Sequence, residues 1–178
     1  ELRTPLTGIL GASEMLLGGY QGEISEKQAL TIEMIANSGQ HLLGLINDIL
    51  DVSKIEAGKL ELNLEGILVN DLCHSSLAFV KQLAVKKSIT VEYSSALNAQ
   101  RIFADPKRLK QILVNLLNNA VKFTREKGSV HLEVSSDSEA NCIVFSVTDD
   151  GIGISPEDLQ KLFAPFVQVD SSLSRQYE

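Results

Sequence analysis

Between Ser25 and Gly58 the sequence holds one uninterrupted helical pattern, and nothing else in the chain restricts its fold as much. Ser25-Glu26-Lys27-Gln28 reads as a capping box, with Ser25 at the N-cap and Gln28 at the third helical position, and Gly58 fits the C′ position that ends a helix. Between these signals Leu30, Ile35, Leu42, Ile46, Ile49 and Val52 recur at helical spacing. The helix they predict spans about 32 residues, or ~48 Å at 1.5 Å per residue. Leu42 with Ile49, and Leu43 with Leu50, keep the seven-residue spacing of an interhelical seam. Upstream, Leu2, Leu6, Ile9, Leu10, Leu16 and Leu17 predict a first helix that ends at Gly18-Gly19, with Pro5 near its start. A hairpin of two such helices exposes more apolar surface than one copy can cover, and a dimeric four-helix bundle is the economical way to bury it.

After Lys59 the pattern changes. Leu60, Leu62 and Leu64 alternate and predict a strand. A helix follows over about 70–87, carrying Leu72, Leu77, Phe79, Val80 and Leu83, and then a strand through Ile89, Val91 and Tyr93. Ile102-Phe103-Ala104 is a short strand stopped by Asp105-Pro106, an N-cap with proline at the first helical position, and the helix it starts runs to about Phe123. Val130, Leu132 and Val134, then Ile143, Phe145 and Val147, make two strands joined across residues 137–141 as in a hairpin, and Ser155-Pro156 opens another helix. Strands interleaved with helices and closed by an antiparallel hairpin predict an α/β sandwich with helices on one sheet face. The fold class is therefore α+β, with a helical hairpin over 1–59 and a sandwich over 60–178.

Composition removes several functions. The formal net charge is −7, aromatic residues are 5% and tryptophan is absent, so the basic footprint needed on a phosphate backbone is missing and nucleic acid is not expected as a partner. Two cysteines, Cys73 and Cys142, make neither a disulfide framework nor a metal cluster, which fits a reducing, cytoplasmic setting in which both pack as small apolar groups. No apolar run approaches the ~18 residues of a membrane span. The first residue is Glu1, and the chain reads as a window on something longer.

Two clusters carry chemistry. On the helix from Pro106 to Phe123, Leu109, Ile112, Leu113, Leu116 and Ala120 are expected to form the buried stripe, with Asn115, Asn119 and Lys122 together on its half-buried flank. Asparagine disfavours helix interiors because its amide competes for the backbone, so a solvated polar face suits Asn118, while a phosphate-and-metal site suits Asn115 and Asn119. Amide oxygens are hard ligands appropriate to Mg²⁺, which takes few protein ligands beside phosphate oxygens. The second cluster is Asp149-Asp150-Gly151-Ile152-Gly153-Ile154. Alternation puts Asp149 on the apolar face of Ile143, Phe145 and Val147, where a carboxylate is costly unless a donor such as a purine amino group meets it. Gly151 and Gly153 permit a sharp turn and a close approach to a ligand, although Asp-x-Gly-x-Gly alone also describes an ordinary tight turn. No Walker A sequence or dinucleotide-binding glycine fingerprint is present.

Together these segments resemble a family signature. Asn115-Leu-Leu-Asn-Asn119-Ala-Val-Lys122-Phe123 is similar to the N box of sensor histidine kinases, Asp149-Asp-Gly151-Ile-Gly153 to their G1 box, and Leu162-Phe163-Ala-Pro-Phe166 to their F box. Glu1-Leu-Arg-Thr4-Pro5-Leu resembles the H box just after its phosphoaccepting histidine, and Asp51-Val-Ser-Lys-Ile-Glu-Ala-Gly58-Lys-Leu the junction between dimerisation and ATP-binding domains. The likeness covers nearly the whole chain, with the motifs in the family's order.

The resemblance implies a dimerisation and phosphotransfer hairpin followed by an ATP-binding domain of the GHKL (Bergerat) type. It implies ATP and Mg²⁺ as cofactors, autophosphorylation on a histidine just before Glu1, and transfer onward to an aspartate of a response-regulator receiver domain. Asp149 would accept a hydrogen bond from the adenine amino group, Asn115 would ligate Mg²⁺, and Asn119 and Lys122 would hold phosphates. Phe123 and Ile154 would wall the base along the Gly151–Gly153 turn. Glu1 would act as general base, and Thr4, one helical turn from that histidine, would orient the water that removes phosphate from the partner. A homodimer and an upstream sensor domain are implied as partners, and the full-length protein is expected to allow a membrane anchor outside the window. The glycine-rich G2 box is expected after Glu178. Many relatives carry arginine where this chain has Gln168, and Arg175 offers either a phosphate contact or a solvated lid side chain. Other readings of the same motifs are a different GHKL ATPase, such as those of type II topoisomerases and mismatch-repair proteins, or a dimeric signalling scaffold with a degenerate nucleotide site. His41, His74 and His131 lack the Glu-Leu-Arg-Thr neighbourhood and any metal-ligand spacing, and are expected to be structural or surface residues.

Overall fold

A computed structural model describes residues 3–97 and 100–162. Its contacts divide the chain into two compact units, Glu1–Glu61 and Leu62–Glu178.

The first unit is a hairpin of α1 (Arg3–Leu17) and α2 (Glu26–Glu56). The capping box of α2 is present: the Gln28 backbone N–H donates to Ser25 Oγ (3.4 Å), and the Ser25 backbone N–H donates to Gln28 Oε1 (2.9 Å). At its far end Gly58 takes φ +64, and the N–H groups of Gly58 and Lys59 turn back to the carbonyls of Ile55 (3.0 Å) and Lys54 (2.8 Å). The two helices approach closely at Gly39, where a Cβ would stand 3.0 Å from Leu10 Cδ2 and 3.7 Å from Leu6 Cδ1. Arg3 Nη2 also donates to Asn47 Oδ1 across the hairpin (2.7 Å). Leu6, Ser13 and Gly39 are the buried residues of the pair, whereas Leu30, Met34, Ile35, Leu42, Leu45, Ile49 and Leu50 are all exposed. The hairpin alone leaves its apolar seam uncovered.

The second unit runs β1 (Glu65–Leu68), α3 (Val69–Lys86), β2 (Thr90–Ser95), β3 (Arg101–Ala104), α4 (Pro106–Phe123), β4 (Ser129–Asp137), β5 (Cys142–Asp149) and a one-turn α5 (Pro156–Leu159). β1 pairs antiparallel with β3, while β4 lies between β2, its parallel neighbour, and β5, its antiparallel one. Alternate residues of β4, namely Val130, Leu132 and Val134, are fully buried in one core with Val69, Leu72 and Val80 of α3 and Leu113, Leu117 and Val121 of α4. The opposite face of that sheet is polar. His131 there lies 3.5 Å from Glu92 and 2.8 Å from Ser94 Oγ. This is the α/β sandwich expected, with helices on one face.

Two expectations are corrected. Residues Leu60, Leu62 and Leu64 do not form a strand: β1 begins at Glu65, Leu62 and Leu64 are exposed, and the Asn63 N–H donates to Asp105 Oδ2 (3.0 Å) instead of to a ladder. The partner strand β3 is only four residues long, so β1 has no partner further upstream. On α4 the buried stripe is Leu113, Leu117, Ala120 and Val121, while Ile112 is 55% and Leu116 45% exposed. At 100° per residue this stripe is rotated about 70° from the expected one.

Candidate functional site

The helix that carries the asparagines is held at both ends. At its start Asp105 Oδ1 accepts from the Arg108 N–H (3.0 Å) and Asp105 Oδ2 from the Asn63 N–H, and these backbone donors hold the carboxyl below the usual aspartate range. At its end the Lys87 ammonium donates to the carbonyls of Val121 (3.2 Å) and Lys122 (2.5 Å), a cation placed where the helix leaves its last acceptors open. Between these anchors Asn115, Asn119 and Lys122 fall at i, i+4 and i+7 along one side. The expected half-burial of Asn115 and Asn119 is corrected: both are exposed. The rotation of the buried stripe toward Leu117 and Val121 carries them from its flank to the outer surface. There Asn118, Asn119 and Lys122 line a shallow hollow of about 240 Å³ together with Leu83 and Lys87.

The second cluster ends β5. Asp149 is in register with the fully buried Val130 yet is itself exposed, because the strand stops there and the chain turns away from the sheet. The expectation of a carboxylate set within an apolar face is corrected accordingly. One of its oxygens, Oδ1, accepts from the Gly151 N–H (2.9 Å), and Oδ2 has no partner among the described residues. A Cβ on Gly151 would stand 2.6 Å from the Phe123 carbonyl oxygen and 2.7 Å from Asp149 Oδ1, so only glycine fits. Gly153 needs glycine for another reason, its φ of +69. The Ile152 N–H then donates to the Phe123 carbonyl (3.3 Å).

The Phe123 carbonyl is therefore the point where the end of α4 meets the Asp149 turn. Lys122 Nζ lies 5.6 Å from the centre of the Phe123 ring, and Ile154, just past the turn, is 51% exposed. The structure thus brings the turn carrying Asp149 to the end of α4 at Lys122 and Phe123, while Asn119 and Asn115 lie about one and two helical turns further back along α4. Among the described residues no three His, Cys, Asp or Glu side chains gather as a metal site. A cation here has hard amide oxygens to use, which suits an ion that takes most of its ligands from phosphate and water.

Of the remaining expected residues, Thr4 is exposed on α1. Glu1, Phe163, Pro165, Phe166, Gln168 and Arg175 lie outside the described residues. His41 is exposed on α2, His74 meets Tyr93 edge-on (5.1 Å between ring centres), and His131 belongs to the polar sheet face. Cys73 is buried in the core, where burial pushes its thiol pKa up, but Cys142 is exposed and does not pack as expected. No described helix is long and apolar enough to cross a membrane. One group at the site was not foreseen. The Asp150 carboxylate holds Ser129, its opposite number when the β4–β5 hairpin register is continued past Asp149, so the predicted hairpin carried a signal for it once its register is known.

Residues 1–58 match the family model of the His Kinase A (phospho-acceptor) domain, and residues 104–178 that of the histidine kinase-, DNA gyrase B- and HSP90-like ATPases. The chain is 45% identical over 99% of its length to the circadian input-output histidine kinase CikA of Synechococcus elongatus, of which it covers 24%. It is 43% identical over 98% of its length to the non-motile and phage-resistance protein of Caulobacter vibrioides, covering 21% of it. Among solved structures, full-length ShkA in complex with AMPPNP matches 94% of this chain with a TM-score of 0.76 at 35% identity, and the chain covers 35% of that protein. The chain thus spans about a quarter of its curated relatives, and it belongs to the histidine kinase family, with a phospho-acceptor hairpin followed by a GHKL-type ATPase domain.

Proposed function

We propose that the chain is the catalytic core of a sensor histidine kinase, which moves the γ-phosphoryl group of Mg-ATP to a histidine directly before Glu1 and then to an aspartate of a response-regulator receiver domain. The observation that supports this reading is the junction at the Phe123 carbonyl, which ties the turn carrying Asp149 to the end of α4, the helix of Asn115, Asn119 and Lys122.

Each residue has a distinct task. Asp149 Oδ2 accepts the hydrogen bond of a purine amino group, while Oδ1 stays bound to the Gly151 N–H. Phe123 and Ile154 give the base apolar walls, and the Asn119 amide and the Lys122 ammonium hold phosphate oxygens. The Asn115 amide oxygen is the protein ligand for magnesium, which when bound neutralises phosphate charge. Glu1 takes the proton of the attacking imidazole, and Thr4 orients the water that removes phosphate from the partner receiver domain. Rate enhancement rests on positioning and charge stabilisation rather than on a covalent relay within the second unit. Residues 1–59 act as the dimerisation and phosphotransfer domain and 60–178 as the ATP-binding domain. The partners are a second copy, a receiver domain and a sensor domain upstream.

The metal role of Asn115 is tested by titration calorimetry with ADP in Mg²⁺ and in EDTA. Magnesium should tighten binding to the wild type about tenfold, some 1.4 kcal/mol. Asn115→Ala should lose most of that increment while keeping metal-free affinity within about twofold. An undiminished increment in the variant contradicts the assignment.

A further inference from the structure

We propose that Asp150 is a positioning residue for adenine recognition, acting by clamping the Asp149 turn to the start of β4. The inference rests on the nucleotide reading above and extends it to a residue that touches no ligand.

Three hydrogen bonds join Asp150 to Ser129. Oδ1 accepts from the Ser129 backbone N–H (2.9 Å), Oδ2 from the Ser129 hydroxyl (2.9 Å), and the Asp150 N–H donates to the Ser129 carbonyl (3.3 Å). The two side-chain bonds hold the carboxyl below the usual aspartate range, as expected of a carboxylate with donors on both oxygens. Gly128 is shaped around the clamp: a Cβ there would lie 2.5 Å from Asp150 Oδ1 and 2.5 Å from Thr124 Cγ2. The clamped segment is itself tied down, because the Gly128 carbonyl accepts from the Thr90 N–H (2.9 Å) and the Lys127 N–H donates to the Lys87 carbonyl (3.1 Å). Lys87 is the residue whose ammonium closes α4.

Asp149 and Asp150 are adjacent and close one turn from opposite ends. Asp149 bonds Gly151 within the turn and Asp150 bonds Ser129 across the hairpin. An exposed carboxylate at a strand end has little packing to fix it. Without the Ser129 anchor the turn keeps only the long Ile152 N–H bond to the Phe123 carbonyl (3.3 Å), and the direction of Asp149 Oδ2 is no longer fixed from the β4 side. Mispositioning by about 1 Å is enough to waste a directional hydrogen bond.

The test compares ADP with inosine diphosphate, which lacks the amino group, by titration calorimetry on the intact protein. The wild type should prefer ADP, and Asp149→Asn should abolish the preference. Asp150→Ala should reduce the ADP-to-IDP affinity ratio about fivefold or more while leaving IDP affinity near wild type. Asp150→Asn, which keeps an acceptor for the Ser129 N–H, should restore most of the ratio. Ser129→Ala, a milder change that keeps the backbone bonds, should give an intermediate ratio even if Asp150→Ala fails to fold. A general loss of structure would lower both affinities together and show in thermal melting. An unchanged ratio in Asp150→Ala or Ser129→Ala, with Asp149→Asn still abolishing it, overturns the inference alone. A wild type that does not distinguish ADP from IDP overturns the nucleotide reading and this inference with it.

Discussion

Asp149→Asn is expected to weaken Mg-ADP binding about 10- to 100-fold. The substitution keeps the size of the side chain, and its amide oxygen retains the bond from the Gly151 N–H. The group left facing the purine is then an NH₂, so a donor opposes a donor where a charged acceptor had been. Loss of a charge-assisted hydrogen bond costs about 1.5–3 kcal/mol, which at 1.4 kcal/mol per decade gives the stated range. Asp149 is exposed at the end of its strand, so the change should leave thermal stability within about 0.5 kcal/mol of wild type. Titration calorimetry with equal ADP affinity for both proteins would contradict the assignment of this carboxylate.

Ile46→Asp should convert a dimer into a monomer. The hairpin buries Leu6, Ser13 and Gly39 between its helices and leaves Leu42, Leu45, Ile49 and Leu50 about half exposed, a continuous apolar stripe beside the partly covered Ile46. A carboxylate in that stripe would be desolvated once from each copy, at a cost of several kcal/mol against the two-chain bundle. Light scattering at tens of micromolar should give twice the chain mass for the wild type and the chain mass for the variant. A monomeric wild type, or a variant that still pairs, would contradict pairing through α2.

What the sequence made legible was local. Ser25 and Gln28, Gly58, and Asp105 with Pro106 mark helix ends through chemistry confined to a few neighbouring residues, and α2 and α4 lie where those signals put them. The N-box and G1 segments were equally legible as residues. Their environment was not. α4 carries Leu109, Ile112, Leu113, Val114, Leu116, Leu117 and Val121 around most of its circumference, so periodicity alone did not decide which arc faces the sheet. Contacts with β4 and α3 select Leu113, Leu117 and Val121, and the asparagines move outward as a consequence. Leu60 to Leu64 alternate like a strand, but the short β3 offers them no partner and Asp105 takes the Asn63 N–H. The Asp150–Ser129 clamp lies where the β4–β5 hairpin register, continued one step past Val130 and Asp149, sets the two residues opposite each other; the hairpin was legible, but its exact register was not.

The central claim is that this core carries phosphate from ATP to the histidine that the Glu1-Leu-Arg-Thr4 motif follows. The full-length protein bearing this chain should be incubated with Mg²⁺ and ATP labelled at the γ-phosphate, and the site of label mapped. The proposed function requires an acid-labile, alkali-resistant label on a histidine directly before Glu1, lost when that histidine is replaced and strongly reduced by Asp149→Asn. Acid-stable label on a serine or threonine, or label on His41, His74 or His131, would contradict it.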